Sequence, residues 1–160
     1  MKSIIFYSSY YRTNTENLAQ VMSSEMEGEL KNTNDLKIED YDISSYDLIG
    51  FGSGVYREDL SPQVYRLIER LELSGKNVFV FSTSGIGMTF YNKRLYRHLS
   101  RKGALPAGSF ACKGSFTASD FSKNRIFHLL GKSAEGHPDD KDLSDARKFI
   151  LKIISSVCSI

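Results

Sequence analysis

A chain of 160 residues is the size of one domain, and we predict a single domain spanning residues 1–160. Its net charge of +2 is too small to indicate nucleic acid or an anionic membrane surface as a partner. No apolar stretch approaches the roughly 20 residues that cross a bilayer, and Cys112 and Cys158 form neither a CxxC pair nor a cysteine–histidine cluster. These features, with no secretory signal at the start, predict a reduced cytoplasmic protein that does not enter a membrane.

Apolar runs of strand length alternate with segments of helical spacing, a pattern that predicts a β-α-β chain with a parallel sheet. The first strand is predicted at Ser3–Tyr7 and a weak second strand within Glu29–Leu36. The continuous apolar middle of Tyr46–Ser53 predicts a central strand. Ser61 and Pro62 then form an N-cap and first-turn pair that opens the second helix.

The second half of the chain continues this alternation. Asn77–Ser84 is predicted as another central strand, followed by a helix that ends at Gly103. A fifth strand fits Gly108–Cys112, and residues 121–130 have no clear pattern. A last helix begins just after His137, with three aspartates in or near its first turn. The sequence therefore predicts five strands, four or five helices and no domain linker.

Three of the predicted strands end in unusual loops, namely "SSYYRTNT", "GSGVYRED" and "STSGIGMTFYN". Each loop combines small hydroxyl residues or glycines with at least one aromatic residue. In an open parallel sheet, ligands bind beyond the carboxyl ends of the strands, near the point where the strand order reverses. The three loops together therefore predict one binding site at that edge.

The first loop leads into a helix, whose N-terminal N–H groups and dipole attract an anion. Hydroxyl and amide groups there suit a phosphate monoester, and Arg12 would add charge. The alternative is that Thr13, Asn14 or Thr15 merely caps the helix. The side-chain donors offered to a phosphate are Ser9, Tyr11, Thr13, Asn14 and Thr15.

The other two loops have features that suit a flat ligand. Paired glycines permit close backbone approach and positive φ angles, and aromatic rings can stack on a planar group. The glycines are Gly52, Gly54, Gly85 and Gly87, and the candidate rings are Tyr56, Phe90 and Tyr91. A phosphate loop beside two such loops describes a phosphorylated, planar heterocycle.

At these residues the sequence resembles the flavodoxin superfamily, which binds FMN. "YSSYYRTNT" is similar to the phosphate loop, "YDLIGFGSGVY" to the third strand with its flavin loop, and "FVFSTSG" to the fourth strand. The resemblance covers nearly the whole chain. It implies an α/β three-layer sandwich in which helices cover both faces of a five-stranded parallel sheet of order 2-1-3-4-5. It also places FMN at the ends of strands one, three and four.

The resemblance also implies which residues contact the cofactor. Thr13 stands where the family usually has a glycine, and "YYR" precedes it. No side chain is assigned a catalytic role. The contacts that the resemblance implies are Ser9, Asn14 and Thr15 for the phosphate, and Ser53, Gly54, Val55, Tyr56, Ser82, Thr83, Ser84, Gly85, Ile86 and Gly87 for the ring. The chemistry of the loops adds Tyr11, Arg12, Thr13 and Tyr91 to the predicted contacts.

Three functions remain open for such a chain. The first is an electron carrier that cycles bound FMN between redox states and passes electrons between protein partners. The second is an NAD(P)H-dependent oxidoreductase that reduces a quinone or another small acceptor. The third is a flavin-binding sensor or interaction module without turnover. The chain has no obvious long insertion that could form a nicotinamide pocket, although Gly114–Gly136 could fold over a flavin edge, and this favours the carrier.

Basic residues crowd the segment Lys93 to Lys102, beside the third loop. They form a solvated helix face, a docking face for an acidic protein partner, or a surface that attracts an anionic substrate. A monomer and a homodimer both remain open. His98, His128 and His137 show no metal-ligand spacing, so we predict no metal site.

Overall fold

The computed structural model describes residues 1–10, 13–36, 41–116 and 131–159. Two predicted contacts, Tyr11 and Arg12, lie outside these residues, as does the unpatterned stretch 121–130. The elements in chain order are β1 (Ser3–Ser8), α1 (Asn14–Met26), β2 (Glu29–Asn32), β3 (Leu48–Tyr56), β4 (Asp59–Leu60), α2 (Pro62–Arg70), β5 (Asn77–Ser84), a 3-10 helix (Thr89–Asn92), α3 (Lys93–Arg101), β6 (Leu105–Lys113) and α4 (Asp140–Cys158).

The sheet has the order β2-β1-β3-β5-β6, and each of these neighbouring pairs is parallel. The two-residue strand β4 only returns antiparallel along the end of β3. When β4 is left out, the five parallel strands follow the predicted order 2-1-3-4-5. The predicted α/β flavodoxin-like fold is therefore confirmed.

Alternation along the strands divides the core into two layers. In β5, Val78 and Val80 belong to the cluster packed on α2 and α3. Phe79 and Phe81 belong to the opposite cluster, packed on α1 and α4. Because a strand's side chains alternate between its two faces, one central strand supplies both layers.

Two glycines of β3 make space for the rings of β5. A Cβ on Gly50 would lie 2.4 Å from Phe79 Cζ, and one on Gly52 would lie 2.1 Å from Phe81 Cζ. The prediction that Gly52 lets the backbone approach a ligand is therefore wrong, because the space beside Gly52 is filled by a core phenylalanine.

The helix ends follow the predicted signals. Ser61 Oγ accepts a hydrogen bond from the Gln63 N–H at 3.3 Å, with Pro62 at the first helical position. Asp139 and Asp142 form a reciprocal capping box at the start of α4. Gly103, with φ at 78°, follows the end of α3. Among the described residues, no helix combines the length and apolar character that crossing a membrane requires.

Candidate functional site at the carboxyl edge of the sheet

A cavity of about 370 Å³ lies at the carboxyl edge of the sheet, between the N-terminus of α1 and the ends of β3, β5 and β6. This volume is within the range of small-molecule sites. Ten of the predicted contacts line it, and five residues that we did not predict complete it. The lining residues are Asn14, Thr15, Gly54, Val55, Tyr56, Arg57, Glu58, Thr83, Ser84, Gly85, Ile86, Tyr91, Gly114, Ser115 and Phe116.

The N-terminus of α1 forms one end of the cavity. The first backbone hydrogen bond of the helix joins Asn17 N–H to Thr13 O at 2.9 Å, so the N–H groups of residues 14–16 have no acceptor within the helix. Thr13 occupies the N-cap position with φ at 54°, and its side chain makes no capping hydrogen bond. The structure therefore does not show the alternative in which the Thr13 side chain caps this helix.

A pair of buried threonines connects this helix end to β5. Thr15 Oγ1 and Thr83 Oγ1 are 2.8 Å apart, and the two residues are 1% and 5% exposed. Two hydroxyl groups carry two hydrogens, and their mutual bond uses one of them. The pair can therefore still donate one hydrogen bond to a ligand oxygen.

Asn14 connects the same helix end to the loop after β6. Its Nδ2 donates to Ser115 O at 2.8 Å, and Ser115 Oγ donates to its Oδ1 at 3.3 Å. A Cβ on Gly114 would lie 2.9 Å from Asn14 Nδ2, so the glycine permits this approach. Gly114 and Ser115 were not predicted as contacts, although Gly114–Gly136 was named as a segment that could fold over a flavin edge and the strand-end rule points to the end of β6 as well.

A β-hairpin (residues 54–60) forms one wall, and we call it the flavin-side hairpin because the sequence predicts that its loop contacts a flavin. Its two-residue turn places Arg57 and Glu58 at φ angles of 49° and 66°. Two consecutive positive φ angles match the type I′ geometry that suits a tight hairpin. Neither residue is the glycine or asparagine that normally marks this turn, so both were missed.

Tyr56 ties this hairpin to the first loop. Its hydroxyl accepts a hydrogen bond from the Tyr10 N–H at 3.2 Å, and the two rings meet edge to face at 5.7 Å. Burial raises the pKa of Tyr56 above its ordinary value, so the phenol stays neutral at physiological pH. A Cβ on Gly54 would lie 2.7 Å from the Tyr56 hydroxyl oxygen, so this glycine gives the ring its place.

Asp59 anchors the hairpin to the helices beneath it. Its carboxylate accepts a hydrogen bond from Tyr65 Oη at 2.9 Å and pairs with Arg94. The Arg94 guanidinium also lies 5.4 Å from the centre of the Tyr65 ring. The flavin-side hairpin is thereby fixed to both α2 and α3.

The opposite wall is aromatic. Phe116 lies against Gly85, where an added Cβ would be 2.4 Å from its ring. Tyr91 lines the cavity and contacts Phe90, with ring centres 4.2 Å apart. Phe90 and Met88 are about half exposed at the rim. Phe116 was not predicted, because its place beside Gly85 depends on the pairing of β5 with β6.

Several predicted contacts do not line the cavity. Ser53 is fully buried, accepts from Ser61 N–H at 2.8 Å and donates to Gly54 O at 2.6 Å. Ser82 is also fully buried, and its hydroxyl has no partner among the described residues. Both serines share the sheet face of Val80, toward α2 and α3. Their side chains therefore point into the protein interior.

The remaining predicted residues lie at the edges. Ser9 O accepts from Asn34 Nδ2 at 3.3 Å. Gly87, with φ at 64°, approaches β6 so closely that a Cβ would be 2.7 Å from Lys113 N. Thr13 precedes the lining residues Asn14 and Thr15. The assignment of these residues to a cofactor stays a prediction.

Charge is sparse around the cavity. Arg57 and Glu58 are the only charged residues among those that line it in the described part of the chain. The nearby carboxylate of Glu16, in the first turn of α1, accepts a hydrogen bond from Tyr7 Oη at 2.9 Å. Burial, together with Glu16, raises the pKa of Tyr7 to about 12. Among the described residues no cluster of cations lines the cavity, and the helix end is the element there that can attract an anion.

His137 lies at the start of α4, and its backbone carbonyl accepts a hydrogen bond from the N–H of the cavity-lining residue Ser115 at 2.8 Å. Its Nδ1 is hydrogen-bonded to Asp142, and Asp139 also lies nearby. The two aspartates already cap α4. These bonds explain the grouping of the three side chains as part of the start of a helix. Among the described residues, no further side chain joins them as a possible metal ligand.

The fold and the position of the cavity define a flavodoxin-type protein. Residues 4–129 match the family model of the flavodoxin domain, and the chain belongs to this family.

A relative in Methanocaldococcus jannaschii, an uncharacterized protein, is 32% identical over 158 residues, covering 98% of this chain and 100% of its own. Solved structures with a similar fold include a flavodoxin from the Archaea, with a TM-score of 0.66, 16% identity and coverage of 98% of this chain and 99% of the other. The rubredoxin oxygen:oxidoreductase of Desulfovibrio gigas has a TM-score of 0.70 and 16% identity, over 99% of this chain but 36% of the larger one. Flavodoxin 2 of Bacillus cereus has a TM-score of 0.64 and 17% identity, over 96% and 99%.

Proposed function

We propose that the protein binds FMN at the carboxyl edge of the sheet and acts in the cytoplasm as an electron carrier between proteins. The observation that carries the proposal is the cavity at which the three predicted loops meet. It has a helix N-terminus at one end and aromatic walls at the other. Flavodoxin domains typically bind FMN, and both ends of the cavity suit a phosphorylated, planar ligand.

At the α1 end, the residues fit a phosphate. The N–H groups of residues 14–16 begin the helix and lack intrahelical acceptors. The Thr15–Thr83 pair offers one more donor, already oriented by a bond of 2.8 Å. Because Asn14 is held by Ser115 at 2.8 Å, the helix end is fixed before a ligand arrives. Fixed donors bind an anion with less loss of entropy than mobile ones.

At the hairpin end, the residues fit a planar ring. The ring would lie between the flavin-side hairpin, with Tyr56, and the wall formed by Gly85, Tyr91 and Phe116. FMN, when bound, supplies reversible uptake and release of electrons. The protein's own residues bind the cofactor, orient it and exclude water from its faces. The opposite charges of Arg57 and Glu58 set the local electrostatic potential.

Reconstitution with flavin tests this proposal. We expect the purified protein to bind FMN with a flavin absorption band, and to bind riboflavin, which lacks the phosphate, much more weakly. Equal affinity for the two flavins would contradict a phosphate site at α1. Failure to bind either flavin would contradict the whole proposal.

A steady-state assay separates the carrier from the alternatives. We expect negligible oxidation of NADH or NADPH with menadione as acceptor, because the carrier needs a protein partner. Fast turnover without a partner would instead indicate the NAD(P)H-dependent oxidoreductase. Bound flavin that exchanges electrons with neither nicotinamide nor a reduced protein donor would indicate a sensor.

A further inference from the structure

The basic residues of α3 divide into two sets with different surroundings. Arg94 pairs with Asp59. Lys102 Nζ donates to Ile68 O and Glu69 O, each at 2.8 Å, at the end of α2. His98 Nε2 lies 2.8 Å from Glu69 Oε1. This first set attaches α3 to its neighbours, so it contributes to the fold.

The second set consists of Lys93, Arg97 and Arg101, and we call it the basic row. All three are exposed, and none forms an ion pair within the described part of the chain. They are spaced four residues apart, so they lie on one face of the helix. Over these eight residues the helix rises about 12 Å. Within the described residues, the row is therefore a line of three cations without an ion-pair partner.

The basic row begins at the rim of the cavity. The 3-10 helix Thr89–Asn92 leads directly into α3. Met88 and Phe90, just before the row, are 51% and 49% exposed, and Tyr91 between them and the row lines the cavity. Protein interfaces are enriched in methionine, aromatic residues and arginine. Met88 and Phe90, followed by the basic row, have the composition of such an interface.

The first set of basic residues also fixes the row relative to the cavity. Arg94 joins α3 to Asp59 of the flavin-side hairpin, and Asn92 Nδ2 donates to Phe110 O of β6 at 2.8 Å. A protein bound along the row would therefore be held at a constant distance from the cavity. That constancy is a requirement for efficient electron exchange with a bound flavin.

We propose that Met88, Phe90 and the basic row form the docking surface for an acidic redox partner protein, one that presents carboxylates around its own redox centre. This inference rests on the proposed function and adds the chemistry of the partner. Cations with no acid of their own attract a carboxylate-rich surface and speed its encounter. The apolar rim then excludes water beside the cavity.

Binding of an acidic protein probe tests this surface. The probe is a [2Fe–2S] ferredoxin chosen for its strong net negative charge, titrated into the full chain with and without FMN. The variant is Lys93→Gln/Arg97→Gln/Arg101→Gln. The control is Lys141→Gln/Lys148→Gln/Lys152→Gln, which removes three positive charges from exposed positions on α4, on the other side of the sheet.

We expect the wild-type protein and the control to bind the probe, with affinity falling about tenfold between about 20 mM and 300 mM salt because ions screen the pairing. The variant should bind about tenfold more weakly at low salt and lose most of the salt dependence. No binding by the wild type, or equal weakening in the control, would overturn the proposal.

Two other outcomes would also overturn it. Salt-sensitive self-association that the variant abolishes would assign the row to a second copy of this chain. Tighter binding of a single-stranded oligonucleotide than of the ferredoxin would assign it to nucleic acid. Because the titration is run with and without FMN, a loss of docking is distinguishable from a failure to bind flavin.

Discussion

At the α1 end of the cavity, polar side chains are buried and bonded to one another, whereas at the hairpin end aromatic rings are partly exposed and the backbone turns are left-handed. Thr15 and Asn14 are 1% and 8% exposed, and their partners come from β5 and the loop after β6. The hairpin turn at Arg57 and Glu58 is held mainly by Asp59 beneath it.

The two ends of the cavity would therefore hold the proposed FMN in different ways. The α1 end resembles a preorganised anion site, in which the donors are fixed by three chain segments that are far apart in sequence. The hairpin end offers aromatic contact area, with Tyr56 on the hairpin and Tyr91 and Phe116 on the facing wall. We therefore expect the α1 end to contribute most of the selectivity for a phosphate, and the hairpin end to contribute affinity for any flavin.

The largest effect is expected from removing the two polar side chains at the α1 end. Asn14→Ala together with Thr15→Ala should weaken FMN binding by about 2 to 4 kcal/mol, because each lost hydrogen bond that supports a charged group contributes roughly 1.5 to 3 kcal/mol and the two overlap. Riboflavin binding should change much less. Fluorescence titration with both flavins measures the two losses.

The matched control for this prediction is Gln20→Ala with Ser24→Ala. It removes two exposed polar side chains from the same helix, and the Ser24 hydroxyl only donates to Gln20 O at 2.9 Å. FMN affinity should stay within about twofold of the wild type. An equal loss of FMN and riboflavin in the Asn14/Thr15 variant would show that this end does not hold the phosphate.

A smaller loss is expected from the hairpin wall. Tyr56→Leu should weaken FMN and riboflavin equally, by about 1 to 1.5 kcal/mol, because an aromatic contact with a flat ring is lost. Tyr56→Phe, which keeps the ring but removes the acceptor for Tyr10 N–H, should cost less than half as much. A loss confined to FMN would show that Tyr56 lies near the phosphate instead of the ring.

The strand order and the α1 end were accessible from the sequence because their signals are local. Asn77–Ser84 contains the apolar run Val78–Phe81 with helical spacing on both sides, and the structure has β5 at Asn77–Ser84. Asn14 and Thr15 follow a strand and open a helix, which is enough to place them at the carboxyl edge of a parallel sheet. Thr83, the partner of Thr15, stands at another predicted strand end. The bond between Asn14 and Ser115 joins residues 101 positions apart, and no local pattern specifies such a pair.

At the hairpin end, Gly54, Val55 and Tyr56 were predicted and line the cavity, whereas the turn that follows them was not predicted. The turn at Arg57 and Glu58 requires positive φ angles, and neither residue carries that signal. Ser53 could have been separated from Gly54 by the two-residue period of a strand, since neighbouring side chains point to opposite faces. By this alternation, Ser53 belongs to the interior-facing positions of β3 and not to the ligand contacts.

A still smaller effect is expected where the hairpin meets α3. Arg94→Gln removes the pair with Asp59, and because the Arg94 side chain is 72% exposed the cost should be about 0.5 to 1 kcal/mol of unfolding free energy. Flavin affinity should fall by a similar or smaller amount, equally for FMN and riboflavin. Arg97→Gln, an exposed neighbour without an ion pair in the described chain, is the control and should change neither quantity. If Arg94→Gln affected only FMN, the hairpin would not be the end that holds the ring.

The smallest net change in the free energy of unfolding is expected from a substitution at Thr13. Like the hairpin turn, this residue has a left-handed backbone, with φ at 54°. A left-handed residue with a Cβ costs about 1 to 2 kcal/mol, whereas a glycine there loses more chain entropy on folding, about 0.5 to 1 kcal/mol. Thr13→Gly should therefore raise the unfolding free energy in urea by about 0.5 kcal/mol. Thr13→Ala keeps the strain and removes both the hydroxyl and the γ-methyl group, so it should not stabilise the protein. If Thr13→Gly destabilised the protein and Thr13→Ala did so equally, the contacts of the Thr13 side chain would outweigh the strain. Side-chain contacts would then stabilise the α1 end even at Thr13, where the backbone is left-handed as in the hairpin turn.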